Sequence, residues 1–366
     1  MRRPAVIFGG PAPEHVVSIL TGLPAARALA GRPAGAEAIY WSLAGGFYSV
    51  DPHSEATDFA EGAPRRAKRL RLVAGAGGGF SAGGPLGRGR PLDITAVVNC
   101  CHGGPGEDGT LQAAFDLAEI RYTGPTPAGA ALGMDKLAFA AVVAGAGLPR
   151  LPCAALRATP PPFAGPYILK PRFGGSSIGI DVVADFATAR ARLGANPHLR
   201  AGAVIEPYRE GADDINVAVR SYPELQLSAI ERPLRSPGSG PILGYADKYV
   251  PGQGMAAAAR ECPAQLPAPI EQAVRDMALA VAELAGVRGV ARVDFLLDGD
   301  ELFVNELNTI PGSLSRQLWV DPPLAFGDLL DGLVAEAIAA PARRYATEGA
   351  DPALLRAVGS ISGKLA

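Results

Sequence analysis

The stretch ARVDFLLDGDELFVNELNTIPG, residues 291–312, contains four polar side chains whose types and spacing could do chemistry. Two apolar runs flank the turn DGDE, and this pattern predicts a β-hairpin. Side chains alternate between the two faces of a strand. Arg292 and Asp294 therefore share one face of the first strand, and Glu306 and Asn308 share one face of the second.

Whether the two polar faces coincide depends on the loop of this hairpin. A three-residue loop at 299–301 would set Asp294 opposite Glu306 and Arg292 opposite Asn308, and we predict this arrangement. A two-residue loop would separate the pairs. Facing carboxylates repel each other by up to about 1 kcal/mol unless a cation lies between them. Because Mg²⁺ prefers carboxylate and amide oxygens together with phosphate, the pattern predicts a magnesium site. A solvated outer face with an incidental ion pair is the alternative.

The composition limits the fold and the partners. The chain has 366 residues, which predicts two or three domains, and its hydrophobic content of 48% is enough for packed cores. A net charge of −2 does not favour nucleic-acid binding, and no segment resembles the roughly 18 apolar residues of a membrane span. The opening MRRPAVIFGG predicts a first strand and not a signal peptide. Four cysteines without metal-ligand spacing favour reduced thiols and the cytoplasm.

Lysine is rare in this chain, and its positions are informative. Only five of the 34 lysine and arginine residues are lysine, and two of these lie in a charged cluster and at the tail. The other three are Lys136, Lys170 and Lys248. A compact ammonium suits phosphate oxygens in a tight site, where the larger guanidinium of arginine fits less well. We therefore treat these three residues as candidates for phosphate binding.

Strand and helix patterns alternate along the first hundred residues. This alternation predicts an open, mostly parallel sheet that binds ligands beyond the C-terminal ends of its strands. Residues 39–50 predict a strand or hairpin, and residues 93–100 predict a buried strand. The glycine-rich residues 74–90 predict a surface loop, and residues 133–149 predict one amphipathic helix that ends at Gly-Leu-Pro.

A second glycine-rich segment, LKPRFGGSSIG, lies between two predicted strands within residues 166–180. Such a loop can present backbone N–H groups and hydroxyls to phosphates. It is not a Walker A loop, because GxxxxGK[ST] is absent, and it is not a GxGxxG turn that opens a helix. A phosphate role for this loop gains support from the hairpin and from Lys170, which directly precedes it.

Further motifs occur in a fixed order around these segments, spanning residues 5–318. They are VIFGGPAPEHVVSILTG, HGGPGEDGTLQAAFDLAEIRYTG, ALGMDKLAFAAVVAGAGLP and DKYV. With ILKPRFGGSSIG and VNELNTIPGS, they make the sequence resemble the D-alanine–D-alanine ligases of the ATP-grasp superfamily. The resemblance implies an α/β ATP-grasp fold of three α/β domains, with ATP between the central and C-terminal domains. We expect an N-terminal substrate-binding domain at 1–128, a central domain at 129–206 and a C-terminal domain with the metal site at 207–366.

The resemblance implies roles for the residues that would bind ATP. Lys136 and Lys170 match the two lysines that neutralise nucleotide phosphates. Glu206 matches the hinge acid that accepts a hydrogen bond from the adenine amino group. Asp213 or Asp214 would contact the ribose hydroxyls, and a one-residue gap leaves both alternatives open.

The same resemblance implies the metal ligands and the chemistry. Asp294, Glu306 and Asn308 match the ligands of two Mg²⁺ ions, for which Mn²⁺ is the alternative metal. The carboxylate of the first amino acid attacks the γ-phosphate to form an acyl phosphate, and the amine of the second then displaces phosphate. Arg292 and the N–H of Gly312 match the groups that stabilise the tetrahedral oxyanion.

Substrate-binding residues are implied on both sides of this centre. Glu14 matches the acid that binds the ammonium of the first substrate, with Ser176 and Tyr249 as its hydrogen-bonding partners. Lys248 would reach the transferred phosphate. His102 would line the substrate side of the first domain together with Glu107, although a histidine satisfied within its loop is the alternative.

The sequence departs from the family pattern near the second substrate. The family has a small hydroxyl residue and then a hydrophobic residue to hold the acceptor carboxylate, where this chain has Gln317 and Leu318. Gly174 replaces a frequent acid, and Arg172 lies one residue before the usual loop arginine. The segment after DKYV, at 250–259, is also unusual. These changes leave the ATP chemistry intact and put the identity of the acceptor in question.

Three functions stay open on the sequence alone. The first is a D-alanine–D-alanine ligase of peptidoglycan and cell-wall synthesis, a cytoplasmic homodimer acting on small amino acids. The second is a related ligase that joins other amino acids in specialised or resistance metabolism. The third, a nucleotide-binding protein without ligase activity, is disfavoured because the phosphate-binding and metal-binding residue types are all present.

Overall fold

The chain folds around three β-sheets in a computed structural model. The structure describes residues 2–75, 77–83, 89, 91–235, 259–341, 343 and 347–357. In the part of the chain it describes, no helix is both long and apolar enough to cross a lipid bilayer.

The first sheet has six strands in the order β5-β4-β3-β2-β1-β6. Their bounds are β1 Arg3–Gly9, β2 Glu37–Trp41, β3 Phe47–Val50, β4 Lys68–Val73, β5 Gly79–Ala82 and β6 Ile94–Asn99. Strand β1 pairs in parallel with β2 and β6, whereas the β2–β3, β3–β4 and β4–β5 pairings are antiparallel. The expectation of a mostly parallel sheet is therefore wrong. Alternating strands and helices predict parallel pairing only where a helix makes the crossover, and hairpins build the outer half of this sheet.

Strand β5 lies within the glycine-rich segment that the sequence predicts to be a surface loop. Phe80 in this strand is 1% exposed and packs in one core cluster with Ile7, Ile39 and Phe115. The loop prediction is wrong for Gly79–Ala82, because one buried aromatic side chain outweighs the weak strand preference of the glycines around it.

The helices surround the sheets. The α-helices are α1 His15–Ala30, α2 Gly104–Glu107, α3 Thr110–Leu117, α4 Pro127–Met134, α5 Lys136–Gly145, α6 Phe186–Ala195, α7 Ala268–Ala285, α8 Phe326–Ala339 and α9 Ala353–Ala357. Among the described residues, the 3₁₀ segments are Ala56–Phe59, Pro197–Leu199 and Gly312–Leu318.

Helices α4 and α5 replace the single helix predicted around Lys136. The break is at Asp135, which ends α4 and caps α5 by accepting from the N–H groups of Leu137 and Ala138. An aspartate that bonds the backbone in this way competes with helix continuation. The break places Lys136 at the first position of α5, where it lines the smaller of the two cavities described below.

The second sheet has the order β7-β10-β8-β9, with antiparallel pairing throughout. Its strands are β7 Ala154–Ala155, β8 Tyr167–Pro171, β9 Asp181–Val183 and β10 Ala203–Pro207. The glycine-rich loop with Ser176 connects β8 and β9, as the sequence predicts. Lys170 pairs with Val204 and Glu206 pairs with Ile168, so the two charged side chains lie diagonally on one face of neighbouring strands.

The third sheet has the order β13-β12-β11-β14-β15 and is also antiparallel. Its strands are β11 Asp213–Arg220, β12 Gln226–Pro233, β13 Arg260–Glu261, β14 Val290–Asp298 and β15 Glu301–Asn308. Strands β14 and β15 form the hairpin predicted from the polar pattern.

The hairpin has the predicted pairs but not the predicted loop. Asp298 pairs with Glu301, so the loop is the two residues 299–300 and the three-residue loop is wrong. The register then shifts by one between the Phe295–Val304 and Asp294–Glu306 pairs. Asn305 is the extra residue of this β-bulge. The bulge sets Asp294 opposite Glu306 and Arg292 opposite Asn308.

Two of the hydrophobic cores cross the expected domain boundaries. Phe139 and Val143 of α5 pack with the third sheet, although they lie within the expected central domain. Leu330 of α8 packs in one cluster with Val6 and Phe8 of the first sheet. The second sheet forms a separate hydrophobic cluster with α6. The boundaries at 128 and 206 stay a prediction, and the cores show which segments share buried apolar surface.

Truncating Phe80 tests whether the glycine-rich segment belongs to the core. We expect Phe80→Ala to lower the free energy of unfolding by about 3–5 kcal/mol, because it leaves a cavity beside Phe47 and Phe115. Val73→Ala, on the neighbouring strand and 47% exposed, is the control and should change it by less than about 1 kcal/mol. Urea denaturation measures both, and equal small effects would contradict the packed strand.

Candidate active site

Two cavities meet at the polar face of the β14–β15 hairpin. The larger has a volume of about 100 Å³ and the smaller about 50 Å³. Arg292 and Glu306 line both cavities. Lys170, Glu206 and Asp294 line the larger cavity, and the smaller one is lined by the residues expected to contact the substrates. The hairpin is therefore the wall between them.

A polar row crosses four strands of the third sheet at this wall. Glu231 on β12 pairs with Asn216 on β11, Asn216 pairs with Asp294 on β14, and Asp294 pairs with Glu306 on β15. The neighbouring residues Val217, Val293 and Leu307 point into the core on the opposite face. Strand alternation thus separates a charged face from an apolar one.

Arg292 and Asp294 form a buried pair within this face. The Nε–H and Nη2–H groups of Arg292 donate to Oδ1 and Oδ2 of Asp294 at 2.6 and 2.7 Å. The Nδ2–H of Asn308 donates to Oδ2 of Asp294 at 2.9 Å. Burial acts to lower the pKa of Arg292, but the charge and hydrogen bonds of Asp294 outweigh it and the pKa is raised. Arg292 is therefore a fixed positive charge at the junction of the two cavities.

The donor set of the hairpin fits a hard divalent cation. Asp294, Glu306 and Asn308 supply two carboxylates and one amide on facing strands, the oxygen chemistry that Mg²⁺ prefers. The Nζ of Lys136 lies 3.3 Å from the Glu306 carboxylate. Positive charge from Lys136 and Arg292 thus stabilises these two acids in the present arrangement.

A charged network borders the larger cavity. Lys170 Nζ donates to Glu206 Oε2 at 2.6 Å, and Arg150 Nη2 donates to Glu206 Oε1 at 3.0 Å. Burial alone would lower the pKa of Lys170 and raise that of Glu206, but their mutual attraction reverses both shifts. Both groups are therefore ionised. The pair lies on the second sheet and faces the polar row of the third sheet across the cavity.

The structure separates the two aspartates that the sequence could not tell apart. Asp214 lines the larger cavity, together with the hinge residues Pro207 and Tyr208. Asp213 is directed away and lies 3.4 Å from the Nε of Arg232. Of the two, Asp214 is the residue placed to contact a ligand in that cavity.

Glu14 and Ser176 meet in the smaller cavity, as the resemblance implies. The Ser176 hydroxyl donates to Glu14 Oε1 at 2.5 Å, which links the start of α1 to the glycine-rich loop. Ser176 and Ser177 have φ values of 52° and 57°, so the loop turns in the left-handed region. Lys136 donates to the carbonyl of Gly174 at 2.6 Å and fixes the same loop.

His102 lines the smaller cavity and is also satisfied internally. Its Nε2 lies 2.8 Å from the hydroxyl of Thr21, and the side chain is 4% exposed. Burial, reinforced by the charge of Arg292, lowers its pKa to about 4. His102 is therefore neutral at neutral pH. It is satisfied within the fold, and its contact with a substrate stays a prediction.

Glu107, the last residue of α2, connects this helix to the loop that follows β15. Its carboxylate accepts from the N–H of Gly103 at 2.9 Å and from the N–H of Ile310 at 3.0 Å. Burial, with a smaller effect from the charge of Glu14, raises its pKa to about 7. The N–H of Ser313 donates to Thr21 at 3.1 Å, so the loop around Gly312 is held at two points.

The remaining expected site residues are placed differently. Leu318 is fully buried in the core, and the side-chain nitrogen and oxygen of Gln317 are buried without a hydrogen-bond partner among the described residues. Neither lines the smaller cavity, whereas Gly312 does. Lys248 and Tyr249 lie outside the described residues, as does most of the segment 250–259.

Sequence reasoning missed several polar residues at this site. Asn216 and Asn305 line the larger cavity, and Arg150 supports Glu206. A signal for two of them existed. Asn216 interrupts an apolar strand, and the adjacent polar residues Asn305-Glu306 violate strict alternation, which is typical of a bulge. Nothing in the local pattern identifies Arg150, whose contact is 56 residues away in the chain.

Comparisons with known proteins identify the family. The D-ala D-ala ligase N-terminus model matches residues 3–125, and the D-ala D-ala ligase C-terminus model matches residues 130–335. The chain belongs to the D-alanine–D-alanine ligase family. A D-alanine–D-alanine ligase of Bradyrhizobium is 32% identical over 360 residues, covering 93% of this chain and 96% of the relative. One from Methylobacterium is 32% identical over 369 residues, covering 96% and 95%.

Solved structures of D-alanine–D-alanine ligase family proteins share the fold. D-alanyl-alanine synthetase A from Vibrio cholerae has a TM-score of 0.76 at 19% identity, covering 93% of this chain and 99% of that one. The VanG D-Ala:D-Ser ligase from Enterococcus faecalis has a TM-score of 0.72 at 23% identity, covering 92% and 99%. The expected ATP-grasp fold is confirmed.

Glu107 should make the stability of this ligase family member depend on pH. Its folded-state pKa of about 7 lies above the ordinary value of 4.5, so between these values the folded state binds more protons than the unfolded state. The free energy of unfolding should therefore fall as pH rises from about 5 to 7, by on the order of 3 kcal/mol from this group.

Urea denaturation across pH 5–8 measures this slope. Glu107→Gln should lack this fall in the free energy of unfolding between pH 5 and 7, whatever the absolute stability of the variant. Glu224→Gln, at an exposed position, is the control and should show the same fall as the parent protein. Parallel curves for Glu107→Gln and the parent protein would show that another group titrates.

Proposed function

We propose that this protein is an ATP-dependent ligase that joins two amino acids through an acyl phosphate. The supporting observation is the wall shared by the two cavities. Arg292 and Glu306 face the larger cavity on one side and the Glu14–Ser176 cavity on the other. A carboxylate in the smaller cavity would lie next to phosphates in the larger one. This juxtaposition is what phosphoryl transfer followed by amine attack requires.

In this proposal the larger cavity holds ATP. Lys136 and Lys170 bind its phosphates, Glu206 accepts from the adenine amino group, and Asp214 contacts the ribose. Glu206 accepts from two cations in the structure, and a carboxylate offers about four lone-pair sites, so capacity for a further donor remains. The proposed adenine contact is therefore compatible with the charged network.

The proposed metal site holds two Mg²⁺ ions, with Mn²⁺ as a substitute. Asp294, Glu306 and Asn308 bind them, and the ions would neutralise charge on the phosphate oxygens. Arg292 and the N–H of Gly312 stabilise the oxyanion that forms when the amine attacks. Arg292 is well suited to this because burial and pairing keep it charged and fixed in orientation.

Substrate selection is divided between the two sides of the smaller cavity. Glu14 binds the ammonium of the first amino acid, and Ser176 orients the carboxylate of Glu14. Tyr249 is the second proposed partner of Glu14, and Lys248 is proposed to reach the transferred phosphate. D-alanine is the proposed first substrate because of the family. A cytoplasmic homodimer that acts in peptidoglycan synthesis is the proposed setting.

The decisive experiment is ADP formation by the purified protein with Mg²⁺-ATP and a panel of D- and L-amino acids, with the dipeptide products identified by mass spectrometry. We expect ADP to form only when an amino-acid pair is present and to match the dipeptide in amount. Nucleotide binding without dipeptide formation across the panel would leave a nucleotide-binding protein and overturn the proposal.

Removing the charge of Glu306 tests the proposed metal site. Glu306→Gln should lower kcat by at least about 100-fold, because the cation loses charge stabilisation worth several kcal/mol. The fold should persist, since Glu306 is partly exposed and outside the core. Glu301→Gln, at the exposed start of the same strand, is the control and should retain activity. Near-normal turnover of Glu306→Gln at saturating Mg²⁺ would rule out the assignment.

The acceptor is the part of the reaction where this chain departs from the family. We propose that Gln317 helps to select the second amino acid. Both polar atoms of its side chain lack a partner among the described residues, and an unsatisfied buried amide is costly. Gln317 does not line the smaller cavity in the present arrangement, and a polar group of an acceptor would satisfy its side chain if the segment Gly312–Leu318 turned it toward that cavity. A related ligase with another acceptor, in specialised or resistance metabolism, is therefore the second candidate function.

Replacing Gln317 tests this selection. Gln317→Ser should shift the acceptor ranking by roughly ten- to a hundredfold in kcat/KM, the effect of one hydrogen bond to a charged group, while the KM for ATP stays nearly unchanged. Gln265→Ser, at an exposed glutamine, is the matched control. The assay uses D-alanine as donor with a series of acceptors. If the parent protein and Gln317→Ser rank the acceptors identically, with D-alanine first, Gln317 has no role in selecting the acceptor.

A further inference from the structure

Asn305 is both the extra residue of the β-bulge and part of the wall of the larger cavity. Without the bulge, Asn305 itself would lie opposite Asp294, and Glu306 and Asn308 would point into the core. With it, Asn305 and Glu306 both face the cavity side. Two adjacent side chains on one side of a strand are possible only at such an irregularity.

The side chain of Asn305 makes one specific contact across the cavity. Its Oδ1 accepts from the Nζ of Lys170 at 2.9 Å. Lys170 lies on β8 of the second sheet and Asn305 on β15 of the third, so this hydrogen bond joins the two sheets. The lysine side chain is 7% exposed, and its ammonium is held between Glu206 and Asn305.

This arrangement fixes the direction of the ammonium. Lys170 has three N–H donors, and Glu206 and Asn305 take two of them. Two fixed bonds determine where the third donor points. A lysine with a single partner could rotate and swing on its flexible stem.

An amide suits this position better than an acid. Glu206, Asp214, Asp294 and Glu306 already bring four carboxylates to the larger cavity. A fifth would repel the phosphates that we propose to bind there, since charges in a low-dielectric site interact strongly. The amide oxygen accepts from Lys170 without adding charge.

We propose that Asn305 is a positioning residue, which aims the Lys170 ammonium at the phosphate chain of the nucleotide by holding it between the two sheets. This rests on the proposed ATP site. Asn305 acts through Lys170 and has no part in recognising adenine or ribose.

The test compares ligands with and without phosphates. Calorimetry measures the binding of a non-hydrolysable ATP analogue with Mg²⁺, and of adenosine, to the full chain and to Asn305→Ala. We expect Asn305→Ala to bind the analogue about tenfold more weakly than the parent protein, which corresponds to the lower end of the range for losing one hydrogen bond to a charged group. Adenosine should bind to both proteins equally well. The KM for ATP should rise by a similar factor, with kcat within about threefold of the parent.

Two further variants make the result specific. Gln226→Ala is the matched control, because Gln226 is an amide that also accepts from a basic side chain, Arg220, but lines neither cavity. It should leave both affinities unchanged. In a Lys170→Met background, Asn305→Ala should have no further effect on analogue binding, because its action runs through Lys170.

The possible results separate cleanly. Unchanged analogue binding by Asn305→Ala overturns the inference, and so does an equal loss for adenosine and the analogue, which would show a structural role in the bulge. An additional loss in the Lys170→Met background would also overturn it, since Asn305 would then act independently of Lys170. If the parent protein binds neither ligand, the proposed ATP site itself fails, and the inference falls with it.

Discussion

One extra residue in β15 decides which chemistry this sheet can carry. Side chains alternate strictly along a regular strand, so a register shift of one residue exchanges the two faces. The bulge at Asn305 makes that shift in the middle of the hairpin, between apolar pairs at its tip and polar pairs at its base. Leu302 and Val304 therefore remain in the core, while Glu306 and Asn308 lie with Asp294 and Arg292. The polar row, the shared cavity wall and the contact with Lys170 all depend on this irregularity.

The charges collected at the bulge are tolerable because they alternate in sign. The carboxylates of Glu206, Asp294 and Glu306 are each paired with a lysine or an arginine at 3.3 Å or less. Breaking one buried pair leaves a charge without compensation, which typically costs about 3–5 kcal/mol. The site is therefore pre-organised: its groups are already paired and oriented, and ligand charges enter an existing pattern. The two raised cation pKa values, of Lys170 and Arg292, express the same balance.

The sequence is most informative where the types and spacing of a few neighbouring residues indicate one structure or one function. The polar pattern of the hairpin predicted both facing pairs, and the order of motifs predicted the fold and the family. It was least informative where the outcome depends on contacts between distant segments. In the β14–β15 hairpin, a loop shorter by one residue and a bulge of one residue together give the same polar pairs as the predicted three-residue loop. The local sequence pattern cannot distinguish these two ways of reaching the same register. The burial of Phe80 depends on residues from several strands and a helix, and only the packed sheet shows that Asp214, not Asp213, faces the cavity.

The distribution of the hydrophobic cores determines which part of the molecule can move. The first sheet shares buried apolar side chains with α8 and with the loop after β15, and α5 shares them with the third sheet. Separating these parts would expose apolar surface at about 25 cal/mol per Å². The second sheet and α6 have a core of their own, and polar contacts such as Lys170–Asn305 and Ser176–Glu14 connect them to the rest. Water can replace such contacts at little net cost. The strands β7–β10 with α6 are thus the part of the molecule whose displacement would expose the least apolar surface, and such an opening would give ligands a way in and products a way out.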